Sequence, residues 1–124
     1  MPKLPVFVLD SCVFIEHGNS PLPSGTLLTV TRVLEEVKDG LSRLRKASIP
    51  FSVEDPRSEL VAMVKQRVKQ LPQKLSETDA NLLALSLEKK GTLITDDYAI
   101  QNAASIIGVS WLPWGKRGIK KIRK

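Results

Sequence analysis

The chain is poor in the side chains that make soft-metal and redox sites. It holds one cysteine, Cys12, and one histidine, His17, among 124 residues. A lone cysteine closes no internal disulfide, and the apolar neighbours Val13, Phe14 and Ile15 suit a small buried side chain. The lack of a histidine pair or a cysteine cluster argues against a zinc hydrolase site, and His17 reads as a surface residue at a helix end. Aromatic residues make up 5% of the chain, so base-stacking platforms are few. Tyr98, Trp111 and Trp114 are the candidates, with Trp111 expected in the core and Trp114 exposed. No apolar run reaches the length needed to span a bilayer, and the opening "MPKLPVFVLDS" lacks the long apolar region of a signal peptide. A cytoplasmic protein without a membrane partner is expected.

Acids are missing from one place in particular. The last nine residues carry Lys116, Arg117, Lys120, Lys121, Arg123 and Lys124 and no Asp or Glu. Nineteen basic residues less these six leaves 13, which equals the number of acids. The body is thus neutral and the net charge of +6 belongs to the tail, which reads as an arm for a polyanion or as a solvated end. At 42% hydrophobic and 26% charged the body is that of an ordinary globular protein, expected to form one domain over residues 1–115 with the basic tail over 116–124.

Apolar runs and breakers alternate along that body. Val6–Leu9 reads as a strand ending at Asp10, with a helix starting near Ser11, and residues 18–25 as a loop. Residues 27–30 suit a second strand, and Val33, Leu34, Val37 and Leu41 fall at helical spacing after Thr31. Residues 42–55 show no clean period and are expected to be a connection with a short strand. Pro56 suits the first turn of a helix whose apolar face is Leu60, Val61, Val64, Val68 and Leu71. Ser76 opens another, with Leu82, Leu83, Leu85 and Leu87 inward and Gly91 ending it. Residues 92–95 form the next strand, 97–107 a helix with Ala99, Ile100, Ala103 and Ile107 inward, and 109–112 a last strand. Strands alternating with helices predict an α/β fold of three layers, a central mostly parallel sheet flanked by helices.

In such sheets ligands bind beyond the carboxyl ends of the strands. Asp10 lies at the end of the first strand and Asp96 with Asp97 at the end of a later one, while Glu36 and Asp79 sit near helix starts that face the same edge. Each acid also has a purely structural reading. Asp10 and Asp97 suit helix caps, Asp79 fits a capping box with Ser76, Asp96 suits a turn, and Glu36 is hard to tell from Glu35 by periodicity. Taken together they point to one crevice. Several like charges there require a counter-cation, and oxygen ligands select Mg²⁺ or Mn²⁺. Such an ion acts on phosphate esters, and the basic tail suits a nucleic acid, so metal-dependent phosphodiester hydrolysis is the expected chemistry.

The stretches "FVLDSCVFIEHG", "TRVLEEVKD" and "LSETDANLLALSLEKKGTLITDDYAIQNAASIIGV", in that order, resemble a PIN-domain ribonuclease. The third is similar to the archaeal endonucleases that mature the 3′ end of small-subunit ribosomal RNA. The resemblance implies a PIN-like fold in which Asp10, Glu36, Asp79 and Asp97 are the catalytic acids. It implies Asp10, Asp79, Asp96 and Asp97 as ligands of Mg²⁺ or Mn²⁺, Asp96 as a further ligand or supporting acid, and Ser11 and Thr95 as supporting hydroxyls. The substrate implied is single-stranded RNA, here pre-rRNA of the small subunit, with Lys116, Arg117, Lys120, Lys121, Arg123 and Lys124 on its phosphates. The rRNA-processing family usually adds a zinc ribbon, whose cysteines this chain lacks, so no zinc is expected in it. A toxin-type ribonuclease of a toxin–antitoxin pair and a non-catalytic RNA-binding scaffold are the competing readings. The broader family often forms homodimers, but no patch in the sequence can be assigned to that role.

Overall fold

The computed structural model describes residues 4–15, 22–37 and 48–114. Five short strands form the sheet: β1 (Val6–Leu9), β2 (Thr26–Thr29), β3 (Ser52–Val53), β4 (Thr92–Ile94) and β5 (Ser110–Leu112). Their order is β3-β2-β1-β4-β5, and every pairing is parallel. The expected α/β fold is therefore present, with a sheet that is wholly parallel. The helices that alternate with the strands are α1 (Cys12–Ile15), α2 (Thr31–Glu36), α3 (Ser58–Val68), α4 (Glu77–Lys89) and α5 (Tyr98–Ile107).

Parallel strands buried under helices need continuous apolar faces rather than alternation. Val8, Leu9, Leu27, Leu28, Leu93 and Ile94 supply them and are all buried. α4 lies on β1 and β4 and also meets α3 and α5. Its residues 82–85 are buried without interruption because the helix is covered on several sides. α3 by contrast buries only Val61, Val64 and Val68, one stripe at helical spacing. Phe14 of α1 meets Phe51 edge to face, with ring centroids 5.2 Å apart. None of the described helices is long and apolar enough to cross a membrane.

Several local expectations shift by a residue or two. Pro56 does not begin a helix turn: Arg57 is the N-cap of α3, so the proline belongs to the link after β3. At the end of α4 the left-handed residue is Lys90, with φ 54°, and not Gly91. Gly91 is required for another reason, since a Cβ there would lie 2.9 Å from the carbonyl oxygen of Val6 in the neighbouring strand. The two tryptophans exchange places. Edge strand β5 leaves Trp111 half-buried with its indole N–H on Ser105 Oγ at 3.1 Å, whereas Trp114 is buried in the core. His17, Leu41, residues 42–47 and the basic residues 116–124 lie outside the described residues, and so does the boundary at 115.

Candidate functional site

The chain leaves β1 toward β2 on one side, and β4 occupies the other. β1 and β4 thus flank the point where strand order reverses, and the crevice beyond their carboxyl ends is the expected ligand site. Leu9 is in register with Ile94, which sets Asp10 and Thr95 side by side one residue later. The Asp10 N–H donates to the Ile94 carbonyl at 3.1 Å and the Thr95 N–H to the Leu112 carbonyl at 3.0 Å.

Asp10 is 7% exposed. The Thr95 hydroxyl donates to its Oδ2 at 2.6 Å and the Ser11 N–H to its Oδ1 at 2.6 Å, while the Ser11 hydroxyl stands 3.5 Å from Oδ1. Burial nevertheless raises the carboxyl above its ordinary value against those hydrogen bonds, and the charges of Asp79 and Asp97 push in the same direction. Asp79 is half-buried in the first turn of α4. It completes a capping box, its Oδ2 accepting the Ser76 N–H at 3.0 Å while Ser76 Oγ accepts the Asp79 N–H at 3.1 Å. Its carboxyl too is raised, by burial first and then by Asp97 and Glu36.

Asp97 caps α5, its Oδ1 accepting the N–H groups of Ala99 at 2.8 Å and Ile100 at 3.3 Å. Its own N–H donates to Thr95 Oγ1 at 3.1 Å. Glu36, at the end of α2, accepts the hydroxyl of buried Thr78 on Oε2 at 2.7 Å. The structural readings of Asp79 and Asp97 as caps thus hold, and the same side chains also act on one another's charge. Asp10, Glu36, Asp79 and Asp97, carried by four separate segments, form one electrostatically coupled group.

Asp96 stands apart from that group. Its Oδ1 accepts the Trp114 N–H at 2.7 Å, and Oδ2 is buried without a hydrogen bond among the described residues. Sequence reasoning missed three supporting groups. Thr78, next to Asp79 in "ETDA", positions Glu36. Gln101 donates its amide to the Thr95 carbonyl at 2.8 Å, fixing the turn between Thr95 and α5. Asp55 accepts both the N–H and the hydroxyl of Thr31, at 2.9 and 2.7 Å, and so holds the start of α2 from a different loop. Only Thr78 had a local signal, its place beside a candidate acid.

As they stand, no three acidic, histidine or cysteine side chains among the described residues close on a single ion position. The donor set still fits a hard cation. The described groups of the cluster offer carboxylate oxygens alone, each of Asp79, Asp97 and Glu36 keeps one oxygen clear of the hydrogen bonds above, and a cation would offset both the burial and the repulsion that raise Asp10 and Asp79.

A family model described as the PIN domain of ribonuclease matches residues 7–88. Among curated proteins, Endoribonuclease Nob1 of Pyrococcus abyssi is 38% identical over 123 residues, which is 94% of this chain and 73% of that protein. Endoribonuclease Nob1 of Archaeoglobus fulgidus is 40% identical over 116 residues, 88% of this chain and 68% of that protein. Ribonuclease VapC1 of Thermoplasma acidophilum is 32% identical over 123 residues, 96% of this chain and 61% of that protein. Among solved structures, VapBC2 from Rickettsia felis bound to a promoter DNA fragment aligns with a TM-score of 0.65 at 12% identity, covering 88% of this chain and 98% of that one. At that identity the likeness is one of fold.

Proposed function

The chain belongs to the PIN-domain family of ribonucleases, and from that premise we propose that it is a divalent-metal-dependent endoribonuclease cutting single-stranded RNA, acting in maturation of the small-subunit rRNA 3′ end. The observation that supports the reading is geometric: Asp10 and Asp97 both bond Thr95 at the β1/β4 crevice, and Glu36 is held by Thr78 next to Asp79 at the start of α4. Asp10, Asp79 and Asp97 are the residues that would hold Mg²⁺ or Mn²⁺, with Glu36 beside them. When bound, the ion supplies a water of lowered pKa and stabilises charge on the scissile phosphate.

The protein's own part is to orient those acids and, through hydrogen bonds, to oppose the rise that burial imposes on Asp10 and Asp79. Thr95 and Ser11 direct both oxygens of Asp10, Thr78 directs Glu36, and the caps of α4 and α5 fix Asp79 and Asp97. Asp96 is assigned to tethering the backbone at Trp114 rather than to direct ligation. The six cations of residues 116–124 serve as an arm on RNA phosphates. Deleting them is expected to weaken RNA binding and flatten its salt dependence while leaving cleavage of saturating RNA in place.

A toxin-type role is the second reading, favoured by the alignment with VapC1 over 96% of the chain. One assay separates the two. Wild type and Asp10→Asn are given a short RNA spanning the small-subunit 3′ site and an unrelated RNA, with Mn²⁺ or EDTA. Metal-dependent cutting at one position, lost in the variant, supports rRNA maturation. Equal cutting of both RNAs favours the toxin-type role, and cutting that survives EDTA or Asp10→Asn overturns the metal-hydrolase reading.

A further inference from the structure

The charge-balanced body does not spread its cations evenly. Two hollows, of about 360 and 350 Å³, lie side by side around the start of α4 and share Lys65 and Glu77 on their walls. The first runs between the starts of α2 and α3 and is rimmed by Arg32 and Asn81. The second continues past the end of α3 and is rimmed by Lys69 and Lys74. Each is of the size of a small-ligand site. Four cations thus line the pair against a single acid, Glu77. That acid is paired with Lys65 at 2.6 Å, whereas Arg32, Lys69 and Lys74 make no ion pair within 4 Å among the described residues.

The position of this track relative to the acids is fixed by helix geometry. Arg32 precedes Glu36 by one turn of α2, and residues i and i+4 share a helix face. Glu77 and Asn81 lie on the face of α4 away from Asp79, so the first hollow borders the acids through Arg32 and Glu36, while Ser76, which bonds Asp79, stands on the wall of the second. Both hollows therefore border residues that carry the acids, the first at α2 and the second at the start of α4. A polyanion reaching four carboxylates is repelled on both sides of the bond to be cut, unless cations hold the flanking charges. The hollow walls also carry apolar groups such as Val61, Leu71 and Leu75, which suit the sugar and base parts of a flexible strand more than a bare anion.

We propose that these hollows are a track for the backbone of single-stranded RNA, with Arg32 on a phosphate next to the cleavage position and Lys69 and Lys74 on phosphates further along the strand. The inference rests on the ribonuclease reading and adds the path of the substrate. Because the contacts are to phosphate, the track selects strand flexibility and charge rather than base sequence.

The test measures binding of a fluorescein-labelled 12-nucleotide RNA to the full chain in EDTA, across a salt series, so that no cleavage intervenes. Arg32→Ala and the double variant Lys69→Ala/Lys74→Ala are compared with Arg67→Ala, a cation of α3 that lines neither hollow. The slope of log affinity against log salt is expected to flatten by about 0.7 in Arg32→Ala and about 1.4 in the double variant, with Arg67→Ala unchanged. An equal change in Arg67→Ala, or none in the track variants, overturns the track. So does polyglutamate of equal charge competing as well as RNA, because the walls then serve an acidic protein segment. Cleavage of RNA with Mn²⁺ by the same wild-type sample tells a failure of the track from a failure of the ribonuclease reading. If wild type neither binds nor cuts RNA, both fall.

Discussion

The Thr95 hydroxyl donates to Asp10 Oδ2 at 2.6 Å and accepts the Asp97 N–H at 3.1 Å, so one buried side chain ties the ends of β1 and β4 to the cap of α5. Thr95→Val keeps the shape and removes both bonds, leaving a buried carboxylate oxygen and an N–H unpaired. Stability measured by urea unfolding is expected to fall by about 1–3 kcal/mol. Thr95→Ser keeps the hydroxyl and is expected to retain most of the stability and the cleavage rate. A valine variant as stable as wild type removes this residue from the site's architecture.

Proton and metal binding should compete at the cluster. A carboxyl whose pKa is raised on folding, as in Asp10 and Asp79, binds its proton more tightly in the folded than in the unfolded chain. The stability so gained is present below the ordinary carboxylate range near pH ~4 and is lost as pH rises through the raised folded values. In EDTA the thermal midpoint of wild type should therefore decline over that window more than that of Asp10→Asn. Saturating Mn²⁺ should raise the wild-type midpoint at pH 7.5, a hundredfold excess over Kd stabilising the fold by about 2.7 kcal/mol. The rise should be smaller at pH 5, where protons compete, and absent in Asp10→Asn. An equal Mn²⁺ effect in the variant contradicts the assignment of Asp10.

Thr78 is expected to act through Glu36 and not on substrate. Its replacement by valine removes the hydroxyl donated to Glu36 Oε2 at 2.7 Å. Cleavage at saturating RNA is expected to fall about tenfold, the lower end of what loss of a supporting hydrogen bond costs at a metal site. RNA affinity in EDTA should stay unchanged, and Thr78→Ser should restore the rate. Loss of affinity alone assigns Thr78 to packing.

The end of α4 separates two effects that adjoining residues have on stability. Lys90 pays the cost of a left-handed backbone with a side chain attached, while Gly91 makes room for Val6. Lys90→Gly should be neutral to stabilising by up to about 1 kcal/mol, since glycine takes that conformation without strain. Gly91→Ala should destabilise by more than about 1 kcal/mol, because its Cβ meets strand backbone that cannot swing aside. Chemical denaturation of both variants checks the contrast, and the reverse order would put the helix stop at Gly91.

What the sequence made legible follows from which signals are local. β1 is bounded as expected because four apolar residues end on an acid, and the Ser76 capping box is written in four consecutive residues. Asp10, Asp96, Asp97 and Asp79 were readable from their place after strands and at a helix start, whereas Glu36, expected near a helix start, ends α2. Groups set by tertiary neighbours were not. Asp55 caps a helix 24 residues before it, and Arg32 reaches a hollow walled by two later helices. The exchange of the tryptophans has the same origin. Nothing local says that β5 is an edge strand, or that Asp96 draws the backbone at Trp114 inward.

The sheet order has a consequence in time. Asp10 is made near the beginning of the chain, yet the hydroxyl that orients it and one of the two acids that share its field come 85 and more residues later. Central β1 cannot gain its β4 neighbour until nearly all of the described chain exists, and pairings so distant in sequence form late and slowly. An unfinished or clipped chain ending before Thr92 therefore carries three of the four acids and no assembled crevice.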